Sequence, residues 1–282
     1  MALERRRVFL NDREVALAAA GRHLRVGDRV AVWSDRPGSA QKPSRPKSTG
    51  DVRILYEDDD LLVINKPAGL LSVPLERQAD ADSAYDTVER HLRPKGKRRP
   101  LIVHRIDRDT SGLVVFAKDG RSQRLLKDQF RRREAERVYL AVVYGAPDPE
   151  SGTWRDRLVW DERALIQKQT HPEDPKGANA VCHYRTVERF ADASLIEVRL
   201  ETGKRNQIRL QARLRGHTLV GESRYTYGPE ALRPITFPRQ ALHAWHLTLL
   251  HPRDRRVLRF EAPVPADLEE LLRRLRAPKT HR

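Results

Sequence analysis

Residues Leu101–Lys118 read LIVHRIDRDTSGLVVFAK. Leu101, Ile102 and Val103 form an apolar, β-branched run that enters a charged loop, and Leu113–Phe116 form a second run that leaves it. Two such runs around a polar turn predict two buried strands. Between them stand His104, Arg105, Asp107, Arg108, Asp109 and the triplet Thr110-Ser111-Gly112. Buried charge is costly unless paired, so ionisable groups concentrated between core strands mark a candidate site. The competing reading is a surface hairpin with a solvated tip. On residue types alone, Asp107 and Asp109 are equal candidates for a reactive carboxylate.

The whole chain has 282 residues, enough for one large domain or a large one and a small one. Hydrophobic residues make up 39% and charged residues 33%, so a core can form beneath a heavily charged surface. The formal net charge is +16 and the pI about 10.4, which points to a polyanionic partner, because cations that neutralise phosphates release counterions. Cys182 is the single cysteine, which excludes a disulfide framework and any multi-cysteine zinc site. It lies in a strand-like run and reads as a small core residue. The N-terminal MALERRRVFLND has basic residues with no apolar stretch behind them, so no secretory signal is expected. No segment approaches the roughly 18 apolar residues of a membrane span. The expectation is a soluble, cytoplasmic, monomeric protein with no membrane contact.

Outward from the central stretch, the chain divides into three parts. Residues 1–34 carry strand-like Arg7–Leu10 and Arg29–Trp33 with turn signals Asn11-Asp12 and Gly27-Asp28, and read as a small module. Residues 35–51, rich in Pro, Ser, Gly and Lys, read as a flexible linker. Residues 52–282 form the main domain. There, Leu61–Ile64, Arg137–Tyr144, Ala180–Val187, Ser194–Leu200, Gln240–Leu250 and Arg256–Phe260 read as strands. Tyr85–Leu92, Gly120–Arg132, Asn206–Leu214 and Asp267–Leu275 read as helices. Ser151–Pro175 reads as irregular and polar, at most a peripheral hairpin. The basic loop Arg93–Pro100 is a candidate RNA contact. Helices and strands alternate without a βαβ period, which predicts an α+β fold on a large mixed, mostly antiparallel sheet with flanking helices.

Five stretches together resemble one family. HRIDRDTSG (His104–Gly112) is similar to the HRLDxxTSG motif of the large-subunit-type (RluA) RNA pseudouridine synthases. YEDDDLLVINKPAGL (Tyr56–Leu70) resembles that family's opening segment, RVYLAVVYG (Arg137–Gly145) its tyrosine strand, and ETGKRNQIRLQARLRGHTLVGESRYTYG (Glu201–Gly228) its arginine helix and loop. ALHAWHLTLLHP (Ala241–Pro252) fits its last core strand. The resemblance spans roughly residues 52–275. Ile106 stands for the usual leucine, Lys204-Arg205-Asn206 for the commonest Arg-Thr-His, and Glu222 for the usual Asp. Residues 4–34 resemble the second half of an S4-type RNA-binding domain whose opening helices are missing, with Arg5–Arg7, Arg22, His23 and Arg25 as possible RNA contacts.

The resemblance implies isomerisation of uridine in structured RNA, ribosomal first and transfer RNA second. The N1–C1′ bond breaks and C5 bonds to C1′, with no cofactor or metal. The chain agrees in having no Walker loop, no Rossmann glycine fingerprint and no HExxH. By motif, Asp107 is the carboxylate that attacks C1′ or removes a ribose proton, while Asp109 caps the loop or is solvated. Arg209 matches the active-site arginine and Tyr139 the tyrosine that stacks on uracil. Arg105 fills the stack vacated by an extruded uridine. His104 orients the loop. Thr110 and Ser111 bond the loop backbone, and Gly112 permits a tight turn. Lys66, Lys204 and Arg205 are candidate RNA contacts. His243, His246 and His251 read as structural, without a ligand set at metal spacing. The alternatives are a non-catalytic RNA-binding or ribosome-assembly protein on the same fold, against which the trio Asp107, Tyr139 and Arg209 argues, and a glycosidase-like hydrolase, for which no second carboxylate is evident.

Overall fold

The computed structural model describes residues 8–11, 13–14, 21, 23–32, 51–74, 82–95, 99–162, 164–226 and 233–277. Arg5–Arg7, Arg22, nearly all of the 35–51 segment, part of the Arg93–Pro100 loop and the end of the Glu201–Gly228 stretch lie outside these residues. The N-terminal described residues make a small sheet of β1 (Val8–Leu10), β2 (Arg13–Glu14) and β3 (Val30–Val32), in the order β2-β1-β3.

The main domain is built on one 11-stranded sheet. Its strands are β4 (Arg53–Glu57), β5 (Leu61–Lys66), β6 (Leu101–Ile102), β7 (Ser111–Ala117), β8 (Glu136–Tyr144), β9 (Ser151–Asp161), β10 (Ile166–Gln169), β11 (Ala178–Arg189), β12 (Ala193–Leu200), β13 (Leu242–Leu250) and β14 (Val257–Glu261). The order is β10-β9-β11-β12-β8-β13-β7-β5-β4, with β14 added to β13 and β6 to β7. The β13–β7 pair is parallel and the other pairs are antiparallel, so the sheet is mixed and mostly antiparallel. Four helices flank it: α1 (Ala84–Leu92), α2 (Gly120–Arg132), α3 (Gln207–Leu214) and α4 (Ala266–Arg276).

Strand alternation sorts the core onto two faces. Leu62, Ile64, Val114, Phe116, Tyr139, Ala141 and Val143 share a cluster with Val88 of α1 and Ile208 of α3. Leu61, Val63, Val115 and Leu247 pack with Leu126 of α2, and Leu140 and Val142 with Leu268, Leu271 and Leu272 of α4. Both faces are covered, which is why the central strands read as unbroken apolar runs. Each fully buried side chain of this kind contributes about 1.5–3 kcal/mol. Cys182 is buried in the first cluster, and burial pushes its thiol up to about 12, as suits a core residue rather than a nucleophile.

Two elements differ from the sequence reading. Ser151–Pro175 is the peripheral hairpin and not an irregular segment, and it is longer than that reading suggested: β9 is an 11-residue strand and β10 is the outermost strand of the sheet. Its polar texture arises because β9 and β10 carry their apolar residues sparsely, Trp154 and Leu158 on β9 and Ile166 on β10 being buried among exposed neighbours. The first central run is shorter than expected, since only Leu101 and Ile102 pair with β7 before Val103 leaves the sheet.

Register then carries the chain toward a site. Val198, Tyr139, Ala244, Gly112 and Lys66 form one lateral row across β12, β8, β13, β7 and β5. Tyr139 is thus two strands, roughly 10 Å, from Gly112, just past the charged loop. Gly112 has φ +113, and a Cβ there would sit 2.1 Å from the Ala244 carbonyl oxygen. No side chain fits between the parallel neighbours β7 and β13. Gly112→Ala is expected to lose about 3 kcal/mol or more of stability in urea unfolding. A midpoint equal to wild type removes this account of the β7–β13 junction.

Candidate active site

The charged loop between β6 and β7 is held by its backbone. Ser72 Oγ donates to the Ile106 carbonyl at 2.8 Å and accepts the Ile106 N–H at 3.2 Å. Thr110 N–H donates to the Asp107 carbonyl at 3.2 Å. Lys66 Nζ donates to the Arg108 carbonyl at 2.9 Å, and Arg239 Nη1 to that of Asp109 at 3.1 Å. Arg108 Nε reaches back to the Gly69 carbonyl at 2.9 Å. Every carbonyl from Ile106 to Asp109 therefore has a donor, which lets an irregular segment sit partly buried.

On this rigid loop Asp107 meets helix α3. Its Oδ2 accepts from Arg209 Nη1 at 2.9 Å and Asn206 Nδ2 at 2.6 Å. Its Oδ1 has no hydrogen bond among the described residues. Arg209 is buried and spends its other edge on Glu222, Nε to Oε2 and Nη2 to Oε1, both at 2.6 Å. Glu222 Oε1 also accepts the backbone N–H groups of Arg224 at 2.7 Å and Tyr225 at 3.2 Å. Burial alone would push the Asp107 carboxyl up; the Arg209 charge and the hydrogen bonds from Arg209 and Asn206 outweigh it and hold the group below the usual carboxylate range. Glu222 is likewise pulled down by Arg209 against the upward push of burial. Arg209 is held up by Glu222 first and Asp107 second, against burial.

Asn206 occupies the N-cap of α3 with left-handed φ 52 and ψ 25, and its side chain caps nothing. The amide is diverted to Asp107, and Asn206 Oδ1 accepts from Tyr225 Oη at 3.2 Å. Tyr225 Oη in turn accepts the Gln167 N–H at 3.1 Å, so the outer strand β10 supports the amide that holds Asp107. Gln207 Oε1 accepts the Lys204 N–H at 2.9 Å and the Thr202 hydroxyl at 2.8 Å, tying the turn that leads into α3 to its first residue.

The other sequence candidates fall into two groups. Arg105, Asp107, Thr110, Tyr139, Lys204, Asn206 and Arg209 line one cavity of about 70 Å³. Tyr139 is buried, which raises its phenol, and its hydroxyl has no hydrogen bond among the described residues. Arg105 and Lys204 are exposed at the rim. Arg205 is exposed and stacks its guanidinium 4.1 Å over the Trp160 ring, tying the lead into α3 to β9.

The rest are structural. Lys66 is fully buried and donates to the carbonyls of Pro67 and Leu70, both at 2.8 Å, as well as to Arg108, so it does not reach a phosphate. It follows Leu62 and Ile64 at the strand period, and that alternation carries it to the core face. Burial pushes its ammonium down to about 7. His104 stacks on Phe130 at 4.6 Å and accepts the Val115 N–H at 3.2 Å, and burial drops its imidazolium to about 3, so it is neutral. Thr110 and Ser111 bond side chains rather than loop backbone: Thr110 Oγ1 accepts from Gln240 at 3.3 Å, and Ser111 Oγ meets His243 Nδ1 at 2.9 Å. Asp109 neither caps the loop nor is solvated at Oδ1, which is buried without a hydrogen bond among the described residues. His251 does meet Asp58 and Asp60, with ligand atoms within 4.8 Å of one another. Those carboxylates serve a turn, Asp58 Oδ1 accepting the Asp60 and Leu61 N–H groups and Asp60 pairing with Arg253 at 2.9 Å.

Residue types did not reveal Glu222, Asn206, Tyr225, Ser72 or Arg239 as parts of this assembly. The signal available was departure from pattern: Glu222 and Asn206 both stand where another residue is usual, and both touch the Asp107–Arg209 pair.

The RNA pseudouridylate synthase family profile matches residues 60–214. The Bacillus subtilis RNA pseudouridine synthase YlyB is 37% identical over 257 residues, which cover 90% of this chain and 81% of that one. Ribosomal large subunit pseudouridine synthase D of Zymomonas mobilis is 37% identical over 233 residues, 79% of this chain and 73% of its own. The fold is similar to that of human RNA pseudouridylate synthase domain containing 4, with TM-score 0.64 and 21% identity over 79% of this chain and 93% of that one.

The electrostatics of the carboxylate are open to test. A depressed folded pKa contributes stability above the unfolded value, about 3.9, that is lost as pH falls through the folded value. Arg209→Gln removes the main opposing charge, leaves burial dominant, and should raise the Asp107 pKa above 3.9 in a carboxyl-carbon NMR titration. A titration unchanged from wild type contradicts this balance.

Proposed function

Because the chain belongs to the RNA pseudouridylate synthase family and is an enzyme that isomerises uridine in RNA, we propose that Asp107 is the reacting carboxylate and ribosomal RNA the substrate. The observation that carries the first part is the division of labour at Asp107. Both donors bind Oδ2, and Oδ1 is left without a hydrogen bond at a cavity that Tyr139 and Arg105 also line. Two charge-stabilising donors on one oxygen keep the carboxylate ionised and set its rotamer, and the other oxygen acts on the ribose.

In the reaction N1–C1′ breaks, C5–C1′ forms, the C5 proton leaves and a proton ends on N1. Asp107 Oδ1 acts as nucleophile at C1′ or as base on a ribose proton. Arg209 stays charged throughout, since a guanidinium does not give up its proton in a protein. Tyr139 stacks on the uracil, and its burial keeps the phenol protonated. Arg105, exposed at the rim, takes the place of the extruded base. The relatives named for the ribosomal large subunit favour ribosomal RNA, and the net charge of +16 suits so large a polyanion.

Tritium release from C5-labelled uridine in ribosomal RNA tests the catalytic assignment. Asp107→Asn is expected to lose at least about 10³-fold; equal release from both proteins overturns it. A second measurement addresses Arg105. Arg105→Ala should depress kcat/KM on structured RNA about 10-fold or more and spare single-stranded RNA, where the uridine is already unstacked. Equal losses on both substrates would show that the guanidinium does not replace the extruded base.

A further inference from the structure

Beside the Asp107 cavity runs a second, larger groove of about 630 Å³, lined by Arg105, Arg131, Arg133, Arg137, Tyr139 and Lys204 among others. Arg137 is the unusual member. It is only 9% exposed, yet among the described residues it has no carboxylate partner. Its single hydrogen bond there runs from Nη2 to the Glu201 carbonyl at the long distance of 3.5 Å, and Nε is buried with none. The guanidinium lies 5.4 Å from the Phe130 ring centroid, against an apolar wall. Gly203 makes room for it, since a Cβ there would stand 2.4 Å from Nη1.

The one acidic side chain on the groove wall, Glu201, is taken by other partners. Its carboxylate pairs with Arg133 and lies 3.5 Å from His183. Burial lowers the Arg137 pKa with only Tyr139 acting against it. A buried cation without a counter-charge is costly, and exchanging such a group for an apolar one of similar volume commonly stabilises a fold. Arg105 and Lys204, likewise without ion pairs among the described residues, complete a cationic wall facing the same space.

The geometry points to a phosphate site: Arg137, with Lys204 beside it, binds one phosphodiester of the RNA strand next to the target uridine. The inference rests on the reading of the adjacent cavity as the uridine pocket. Arg137 is two residues from Tyr139 on β8, and both line the groove, so a strand whose base enters the cavity passes its backbone along this wall. The bound phosphate supplies the missing counter-charge, and the fixed fork of the guanidinium matches its oxygens.

Thermal melting of the full chain tests this with inorganic phosphate against chloride at matched ionic strength. Arg137→Met is expected to melt about 3 °C or more above wild type in chloride and to lose the phosphate-dependent rise that wild type shows. RNA binding, measured on ribosomal RNA in the Asp107→Asn background so that no turnover occurs, should lose about one unit of salt slope with Arg137→Met. Arg137→Lys should restore that slope, and Arg121→Gln, exposed in the first turn of α2 and not lining the groove, should leave it unchanged. An Arg137→Met chain that melts below wild type and keeps both the phosphate shift and the slope overturns the assignment. Loss of the phosphate shift while Asp107→Asn still releases tritium would fault the uridine-pocket reading and leave the anion site standing.

Discussion

One buried guanidinium holds the site together. Arg209 divides its donors between Glu222 behind it and Asp107 in front. A lone carboxylate at that depth would take up a proton, and a lone guanidinium would resist burial. Glu222 resolves the second problem and Arg209 the first. The backbone N–H groups of Arg224 and Tyr225 then absorb what remains of the Glu222 charge. Removing Arg209 leaves two carboxylates without their counter-charge, so both acids depend on that one guanidinium.

That unit works because the Asp107 loop is tied down along its backbone. Donors from Lys66, Ser72, Thr110 and Arg239 hold four successive carbonyls. Lys66 is the clearest case of a charged residue used as a strut. Its three N–H groups meet three carbonyls, and no ligand is needed to explain its burial. Arg137 is the contrasting case. It is nearly as buried, but it lacks such a set of acceptors, and this difference separates a structural cation from one that awaits an anion.

The outer hairpin shows how far support extends. β10 lies at the edge of the sheet, yet its Gln167 N–H fixes Tyr225, Tyr225 fixes the Asn206 amide, and the amide fixes Asp107. Orientation passes through three hydrogen bonds from the edge to the Asp107 carboxylate. Arg205 on Trp160 pins the same lead into α3 from outside.

The sequence alone determined the α+β class, the core strand that leaves the charged loop, the α2 boundaries Gly120–Arg132 and, by resemblance, the grouping of Asp107, Tyr139 and Arg209. Local signals suffice there: apolar runs mark doubly covered strands, and a periodic apolar face marks a helix. Tertiary structure decided what each charge is for. Lys66 and Arg137 look alike as basic residues near motifs, and only their acceptors distinguish them. Asn206 and Glu222 read as departures from a pattern until packing brought both against Arg209 and Asp107. The Ser151–Pro175 segment read as irregular because a sparsely apolar strand near a sheet edge carries little periodic signal. The reason is common to all of these. Burial and hydrogen-bond partners come from residues far apart in the chain, here Asp107 and Arg209, and spacing along one strand or helix does not encode them.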